Sequence, residues 1–407
     1  MMAMLLLAYT LNFLDRQIIG ILAVPIKADL HLSDAQLGLM GGLAFAMFYT
    51  ALGIPVAMLA DRRDRGLIMA VSLFVWSLMT AVCGLAQNFT QLFLARLGVG
   101  IGEAGGTAPA YSLVSDLYPA QERARALALY SFGIPIGSAS GIVFGGVIAT
   151  MIDWRYAFFI VGLAGVLLAP LFHRVVRDPR RASAADPSPP IGLRRVLAIL
   201  FAKRSFWLLA LGSACSSMMG YGLFFWLPSF FVRSFHVTLL QASLGYGAIL
   251  LSGGLFGIWL GGRISDLLSH RGKSWYAIIP AIAFLATIPC YYLGVSSTAM
   301  SLTLGLMLVP TALGLVWVGP VLAAVQGLVA PQMRATTSAI YLFINNLIGI
   351  GIGTPAIGWL SDHFTASHGD DALRYAILAG TGAYALAAIL LLLASRRLET
   401  DWHHDPA

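Results

Sequence analysis

Four charged residues, Asp15, Arg16, Arg96 and Glu103, lie inside long apolar stretches of this sequence. The chain has 18 carboxylates, and all but Asp15 and Glu103 fall in loops, at termini or at the ends of apolar stretches. An ionisable side chain in hydrocarbon costs about 3 kcal/mol or more, so it persists only where it pairs or lines a polar cavity. No His shares that depth. We therefore expect Asp15 and Glu103 to take up protons on one side of the membrane and release them on the other.

The arginines at the same depth suggest an anionic ligand. Arg96 precedes Glu103 by two helical turns, so both lie on one face of a helix about 10 Å apart. An anionic head group fits that spacing, and a guanidinium binds phosphate or carboxylate bidentately. We expect Arg96, with Arg16 and Asn12 of the first apolar stretch, to bind substrate. The alternative is that both arginines only pair with Asp15 and Glu103 and hold helices together.

The composition indicates a membrane protein. Of the 407 residues, 58% are hydrophobic and 11% are charged, against roughly 25% charged residues in soluble domains. Apolar runs of about twenty residues recur along the chain, and each is long enough to cross about 30 Å of hydrocarbon. Cys83, Cys215 and Cys290 lie in apolar stretches without CxxC spacing or a nearby His cluster. We expect no metal, no disulfide and no cofactor.

We predict an all-α fold of twelve transmembrane helices in two pseudo-symmetric six-helix bundles. Helices 1 to 6 are predicted at 3–25, 36–60, 66–87, 89–114, 125–151 and 156–174. Helices 7 to 12 are predicted at 205–231, 239–262, 275–295, 300–329, 335–360 and 373–395. The expected domains are a first bundle at 1–174, a linker with an amphipathic helix at 175–204, a second bundle at 205–397 and a tail at 398–407.

The positive charge of the chain predicts its orientation. Nineteen of the 25 Lys and Arg residues fall on the face that carries the linker, and the opposite face has Lys27, Arg155, Arg233 and Arg374. The positive-inside rule then places the linker and both termini in the cytoplasm, with no role for nucleic acid. Since helix 1 begins almost at residue 1 and lacks a cleavage site, we expect no cleavable signal, and any tail ahead of it to be missing.

Two loops repeat between the halves. AMLADRRDR after helix 2 and GRISDLLSHRGK after helix 8 each place an Asp at a helix end before a basic turn. We expect these loops to act as conformational latches, with solvated turns as the alternative. The latch residues are Asp61, Arg62, Arg65, Asp266 and Arg271.

These loops resemble the signature of the major facilitator superfamily, although Asp64 stands where that motif usually has Gly. Within the superfamily, NFLDRQI from Asn12, RLGVGIGEAG from Arg96 and SDLYP from Ser115 resemble the Spinster group of sphingolipid and lysolipid transporters. The resemblance implies a secondary transporter. It also implies proton coupling, because proton-coupled members have acidic residues that match Asp15 and Glu103.

A stripe of glycines marks helix 5. Gly133, Gly137, Gly141 and Gly145 recur every four residues and leave one face flat, which lets another helix approach closely. The stripe resembles the fifth-helix motif of facilitator exporters, but Pro135 precedes Gly137 where that motif has Pro after the Gly. We expect the stripe to serve helix packing.

The predicted function is proton-coupled transport of a lysophospholipid-like or sphingoid-phosphate-like anion by a monomer in a bacterial inner membrane. All four charges at membrane depth lie in the first half, so the second half would hold an apolar tail. Its candidate residues are Tyr221, Phe224, Trp226, Trp317, Asn345 and Asn346. The alternatives are transport of small organic anions or sugar acids, and a receptor without transport. A membrane enzyme is disfavoured because the sequence has no catalytic motif such as HExxH or GxSxG.

Overall fold

The computed structural model of the chain describes residues 1–118, 126–127, 129–178, 193–269, 272–330 and 333–402. Regular structure in these ranges is helical throughout. Ten segments are long and apolar enough to span a membrane. A broken fourth helix falls below that length, and the last segment, Thr336–Asp401, contains two helices. The predicted twelve-helix, all-α architecture is confirmed.

The first six helices have the bounds Met2–Ile21 with Ala23–Leu30, Asp34–Gly41 with Leu43–Arg62, Arg65–Cys83, Phe89–Glu103 with Thr107–Leu117, Gly133–Met151 and Trp154–Val175. The linker contains the helix Leu193–Ala202. Helices 7 to 12 have the bounds Arg204–Phe235, Leu239–Ser269, Trp275–Ser296, Met300–Leu313 with Val318–Gly327, Arg334–His368, and Ala372–Gly380 with Gly382–Asp401. Helices 8, 11 and 12 continue beyond their predicted ends because an apolar run marks only the part of a helix that lies in hydrocarbon.

Several helices predicted as continuous are interrupted. Helix 4 breaks immediately after Glu103, at Ala104–Gly106, and helix 10 breaks between Leu313 and Val318. Consecutive glycines, Gly105 and Gly106, disfavour a helix by about 1 kcal/mol each relative to Ala. Interrupted helices are common where a transporter binds its ligand, because the free ends of the segments can face a polar site. The break therefore gives Glu103 a position at the end of a helical segment.

The chain divides into two compact units. The first contains Met1–Asp186, Phe224–Leu251 and Thr354–Leu373, and the second contains Pro187–Leu223, Ser252–Gly353 and Arg374–Ala407. The C-terminal parts of helices 7 and 11 and the N-terminal part of helix 8 are thus grouped with helices 1 to 6. These units are defined by contacts, and the domain limits deduced from the sequence remain a prediction.

The glycine stripe of helix 5 lies against helix 1 in the first unit. A Cβ atom at Gly137 would meet the carbonyl oxygen of Thr10, and one at Gly141 would meet the backbone of Leu14. Gly133 and Gly145 likewise face helix 1. This backbone-to-backbone contact fixes the depth and rotation of helix 1, and therefore the position of its charged residues.

Helix 4 approaches helices 2 and 3 just as closely. A Cβ atom at Gly100 would lie 2.5 Å from the carbonyl oxygen of Phe45. Gly102 lies against the backbone of Trp76, and Gly98 against the side chain of Met79. The alternate glycines of RLGVGIG thus bring three helices together around the charged residues of helices 1 and 4.

In the second unit, polar contacts form at the start of helix 7. Lys203 donates to the carbonyl oxygens of Leu328, at 2.7 Å, and Asp401. The Asp401 side chain accepts from the Ser205 backbone amide at 3.0 Å. Burial lowers the pKa of Lys203, against the opposing effect of Asp401. In the linker helix, Val196 and Leu200 are buried and form its packed side.

Candidate functional site

The first unit buries two pairs that each join a carboxylate to an arginine. We call their four residues, Asp15, Arg16, Arg96 and Glu103, the charge cluster. Arg16 pairs with Glu103, since its Nε and Nη2 atoms both lie 2.7 Å from Glu103 Oε2. Asp15 faces Arg96, with 3.6 Å between Asp15 Oδ1 and Arg96 Nη1. Neighbouring residues of helix 1 thus reach two positions of helix 4 that are two turns apart. The pairing of both arginines with Asp15 and Glu103, which was the alternative to substrate binding, is thus present in the structure.

Asp15 has a second partner on helix 3. The hydroxyl of Thr80, a fully buried side chain, donates to Asp15 Oδ2. The same hydroxyl lies 3.0 Å from the carbonyl oxygen of Trp76. Because a hydroxyl carries a single proton, Thr80 can direct it to either acceptor and can itself accept from a protonated carboxyl group. Thr80 therefore favours ionised Asp15 as a donor, and its proton can turn to the Trp76 carbonyl oxygen when Asp15 is protonated.

Aromatic rings surround the guanidinium group of Arg16. Its central carbon lies 5.1 Å from the ring centre of Phe13, 4.7 Å from Phe45 and 4.6 Å from Tyr49. Arg96 also lies near Phe45, at 5.8 Å. Cation–π contacts of this kind contribute about 0.5–2 kcal/mol each. The rings can hold Arg16 in place when its carboxylate partner is neutral.

The charge cluster is incompletely hydrogen bonded. Five buried polar atoms of the charge cluster and the nearby Asn12 lack a hydrogen-bond partner within the part of the chain that the structure describes. They are Asn12 Oδ1, Asp15 Oδ1, Arg96 Nε, Arg96 Nη1 and Glu103 Oε1. An unpaired buried polar atom is costly, and such atoms commonly mark functional positions. The cluster has spare donors and acceptors for a proton or an anion.

The predicted residues of the second half lie apart along helices 7, 10 and 11. In the second unit, Tyr221 lies against Gly349, and Asn345 accepts at 2.9 Å from the Ser217 hydroxyl. Asn346 is half-buried next to Asn345. Trp317 lies in the break of helix 10. These contacts leave their role in substrate binding a prediction.

Trp226 and Phe224 belong to the first unit. Trp226 is fully buried, and its indole nitrogen donates to the carbonyl oxygen of Thr354 at 2.9 Å. The backbone of Phe224 lies near Gly20 of helix 1. Trp226 thus packs between helices 7 and 11, and its role in binding a lipid tail stays a prediction.

Among the predicted latch residues, the structure gives partners for Arg65. It is buried at the start of helix 3 and forms a bidentate pair with Asp178, at 3.0 Å and 2.7 Å. Arg65 also contacts Asp116, at 2.6 Å, and the hydroxyl of Ser112. These contacts tie helix 3 to helix 4 and to the start of the linker. The side chains of Asp61, Arg62, Asp266 and Arg271 lie outside the described residues.

Sequence reasoning missed several residues of these sites. Thr80, Phe45 and Tyr49 are uncharged and are ordinary residues of a transmembrane helix. Asp178 falls in the linker predicted at 175–204, and its pairing with Arg65 is not predicted. A usable signal was the run of glycines after Arg96, because it required a close neighbour on helices 2 and 3.

Twelve membrane-spanning helices with opposite charges in their interior define a polytopic membrane transporter. A family model described as Major Facilitator Superfamily matches residues 5–354. The chain belongs to this superfamily, and it is a Spinster-like member. The following relatives support that assignment.

A protein of Mycolicibacterium smegmatis described as an MFS-type efflux pump is 36% identical, over 98% of this chain and 92% of the relative. Human protein spinster homolog 1 is 29% identical, over 86% of this chain and 71% of its own length. A crystal structure of a bacterial homologue of the human lysosomal transporter Spinster, inward-facing and unoccupied, matches with a TM-score of 0.89. That match has 31% identity and covers 100% of this chain and 98% of the other. The chain is therefore a transporter and not a membrane enzyme.

Proposed function

We propose that this Spinster-like protein is a proton-coupled transporter of an amphipathic anionic lipid, of the lysophospholipid or sphingoid phosphate class, that works by alternating access. The observation that carries the proposal is the charge cluster, in which two carboxylates share a buried interior with two guanidinium groups. The cluster is electrically neutral when all four groups are ionised. Any added anion must therefore be balanced, because an unpaired buried charge is costly.

Competition for the same guanidinium supplies that balance. Glu103 occupies Arg16, and Asp15 faces Arg96. When a carboxylate takes up a proton, its arginine loses an ionised partner and can bind an anion bidentately. Anion binding and proton uptake then favour each other, so affinity for the anion increases as pH falls. This linkage is the proposed basis of coupling.

The division of charge along the chain supports a ligand with one polar end. The charge cluster lies in helices 1 and 4, whereas helices 7 to 12 have no charged residue at membrane depth in the sequence. A small dianion would need polar partners from both halves. A single-chain lipid needs them for its head group alone, and its tail can lie against Tyr221, Phe224 and Trp317.

A chain-length series tests the lipid proposal. Purified protein is titrated with single-chain phospholipids of one head group and increasing tail length, and binding is read from the thermal shift. Each added methylene should raise the affinity by up to about fourfold, from about 0.8 kcal/mol of burial. Matched single-chain alcohols without phosphate serve as the control for detergent-like effects. Saturable transport of short organic acids, with no effect of lysolipids, would contradict the proposal.

A second candidate function is efflux of other amphipathic compounds. The description of the Mycolicibacterium smegmatis relative as an efflux pump favours it. Flux assays in proteoliposomes separate the two, because a general efflux pump would carry uncharged amphiphiles as well as anions. Ligand binding without flux would instead identify a receptor.

We further propose a monomer in a bacterial inner membrane, with the linker and both termini in the cytoplasm. The distribution of Lys and Arg supports this orientation. Under the same proposal, the basic loops at Asp61 and Asp266 act as cytoplasmic latches. Arg65 would anchor the first loop through its buried pair with Asp178.

A further inference from the structure

Asp34, the first residue of helix 2, is buried and receives four hydrogen bonds from three other helices. Lys27 Nζ and Arg233 Nη2 donate to its Oδ1 atom at 2.6 Å and 2.7 Å. Arg233 Nη1 and the Ser361 hydroxyl donate to its Oδ2 atom at 2.6 Å and 2.7 Å. Lys27 lies in the last turn of helix 1, Arg233 lies near the end of helix 7, and Ser361 lies in helix 11.

Asp362 binds the same helix end from its other side. Its carboxylate accepts from the backbone amides of Asp34, at 3.0 Å, and Ala35, at 2.7 Å. These amides belong to the first turn of helix 2, where a carboxylate also interacts favourably with the helix dipole. We call Lys27, Asp34, Arg233, Ser361 and Asp362 the Asp34 network. It contains two negative and two positive groups.

Close backbone packing continues below the Asp34 network. A Cβ atom at Gly38 would lie 2.7 Å from the carbonyl oxygen of Thr354 and 2.8 Å from Pro355 Cα. Gly358 lies against the backbone of Asp34. Helices 2 and 11 thus meet through their backbones for more than one turn, which leaves no room for water between them at these residues.

Helix 7 presents one stripe of side chains to helices 1 and 2. Phe225 lies against Gly20 and Gly41, and Arg233 binds Asp34. Ser229 is midway between Phe225 and Arg233, one turn from each, and is fully buried. The stripe therefore extends the close packing of the Asp34 network towards the interior of the first unit.

We propose that the Asp34 network is the gate that closes the face of the transporter opposite the linker, with Asp34 as its hub. The inference rests on the alternating-access part of the proposed function. Residues 27 and 34 belong to helices 1 and 2, whereas residues 233, 361 and 362 belong to helices 7 and 11, and all these contacts fall within the first compact unit. Opening that face requires the ion pairs to break and their charges to meet water. Removing one partner weakens the closed state, because it leaves a buried charge unpaired.

A buried serine provides the reporter. Ser229→Cys is nearly isosteric and places a thiol at a fully buried position on the stripe. Purified Ser229→Cys protein in lipid nanodiscs is treated with a water-soluble maleimide, without substrate, and the labelling rate at position 229 is followed by mass spectrometry. Protein without Ser229→Cys gives the background from Cys83, Cys215 and Cys290.

Asp34→Asn should increase the labelling rate at position 229 by at least about tenfold, because the amide keeps the size and loses the charge. The matched control is Asp29→Asn. Asp29 lies on the same face, pairs with Arg155 at 2.5 Å, and is outside the Asp34 network. The Arg155 hydrogen bond holds the pKa of Asp29 below its usual range, so this control also removes a full charge. Its labelling rate should stay within about twofold of the parent.

A double variant with exchanged charges distinguishes loss of the ion pair from misfolding. Asp34→Arg combined with Arg233→Asp should restore slow labelling relative to Asp34→Arg alone, provided each variant elutes as folded protein. Equal labelling rates for Asp34→Asn, Asp29→Asn and the parent would overturn the proposal. Because the assay needs no substrate, its failure is distinct from failure of lipid or proton coupling.

Discussion

The charge cluster and the Asp34 network both bury carboxylates beside arginines, but they differ in how completely their polar atoms are paired. Each Asp34 carboxylate oxygen receives two donors at 2.6–2.7 Å. In the charge cluster, Asp15 Oδ1 and Glu103 Oε1 have no hydrogen-bond partner among the described residues, and Asp15 lies 3.6 Å from Arg96. One site is saturated and the other has open positions.

The difference in hydrogen bonding suits the two sites to different roles. A saturated network stabilises one arrangement of the helices and must break as a whole, which suits a gate. An unsaturated cluster can gain a proton or an anion without first losing all its existing bonds, which suits coupling. The type of residue is the same in both sites, so the supply of donors distinguishes them.

The largest expected effect is at Arg96, the open side of the charge cluster. Arg96→Ala should weaken binding of a single-chain phospholipid by about 10- to 100-fold, because charged hydrogen bonds contribute about 1.5–3 kcal/mol. Arg96→Lys should weaken it less, since a bidentate fork is replaced by a point charge. Thermal-shift titration measures both. Arg155→Ala removes an equally positive group from the face opposite the linker, outside the charge cluster, and serves as control. Normal binding by Arg96→Ala would leave Arg96 a purely structural role.

A smaller effect is expected from the packing beneath the Asp34 network. Gly38→Ala should destabilise the protein by about 1–3 kcal/mol, because its Cβ atom would overlap the backbone of helix 11. Gly53→Ala in the same helix has no atom within 4 Å of its Cβ position. That variant should be neutral or gain up to about 1 kcal/mol from helix propensity. Thermal unfolding of the two purified variants makes the comparison, and equal midpoints would argue against close packing at Gly38.

The smallest effect is expected at Thr80, the hydroxyl partner of Asp15. A donor to an ionised carboxylate favours the charged form, so its loss makes protonation easier. Thr80→Val should move the pH midpoint of transport to higher pH by about 0.5–1 unit, corresponding to about 1 kcal/mol. Thr80→Ser keeps the hydroxyl and should retain the parent profile. A Thr80→Val profile superimposable on the parent would remove Thr80 from the coupling site.

Sequence reasoning found the charge cluster because charge at membrane depth is rare enough to stand out. It could not choose the partners of Asp15 and Glu103. That choice depends on the rotation of helix 1 against helices 4 and 5, which backbone contacts at Gly137 and Gly141 fix.

The Asp34 network escaped sequence reasoning because a carboxylate at a helix start is ordinary. Lys27 is seven residues away, but the other partners, at positions 233, 361 and 362, are distant in the chain. A partial signal was present, since Lys27 and Arg233 are two of the four basic residues assigned to the face opposite the linker. The helix breaks after Glu103 and after Leu313 were missed for a related reason, because hydropathy does not detect local interruption of a helix.

The most direct test of the account is the proton balance of ligand binding. Purified protein in weak buffer receives a single-chain phospholipid, and proton uptake is read with a pH indicator. The account predicts uptake of about one proton per anionic charge in the parent and in Asp34→Asn. Glu103→Gln or Asp15→Asn should reduce or abolish the uptake while binding survives. Unchanged uptake in both Glu103→Gln and Asp15→Asn, or no uptake in the parent, would contradict it.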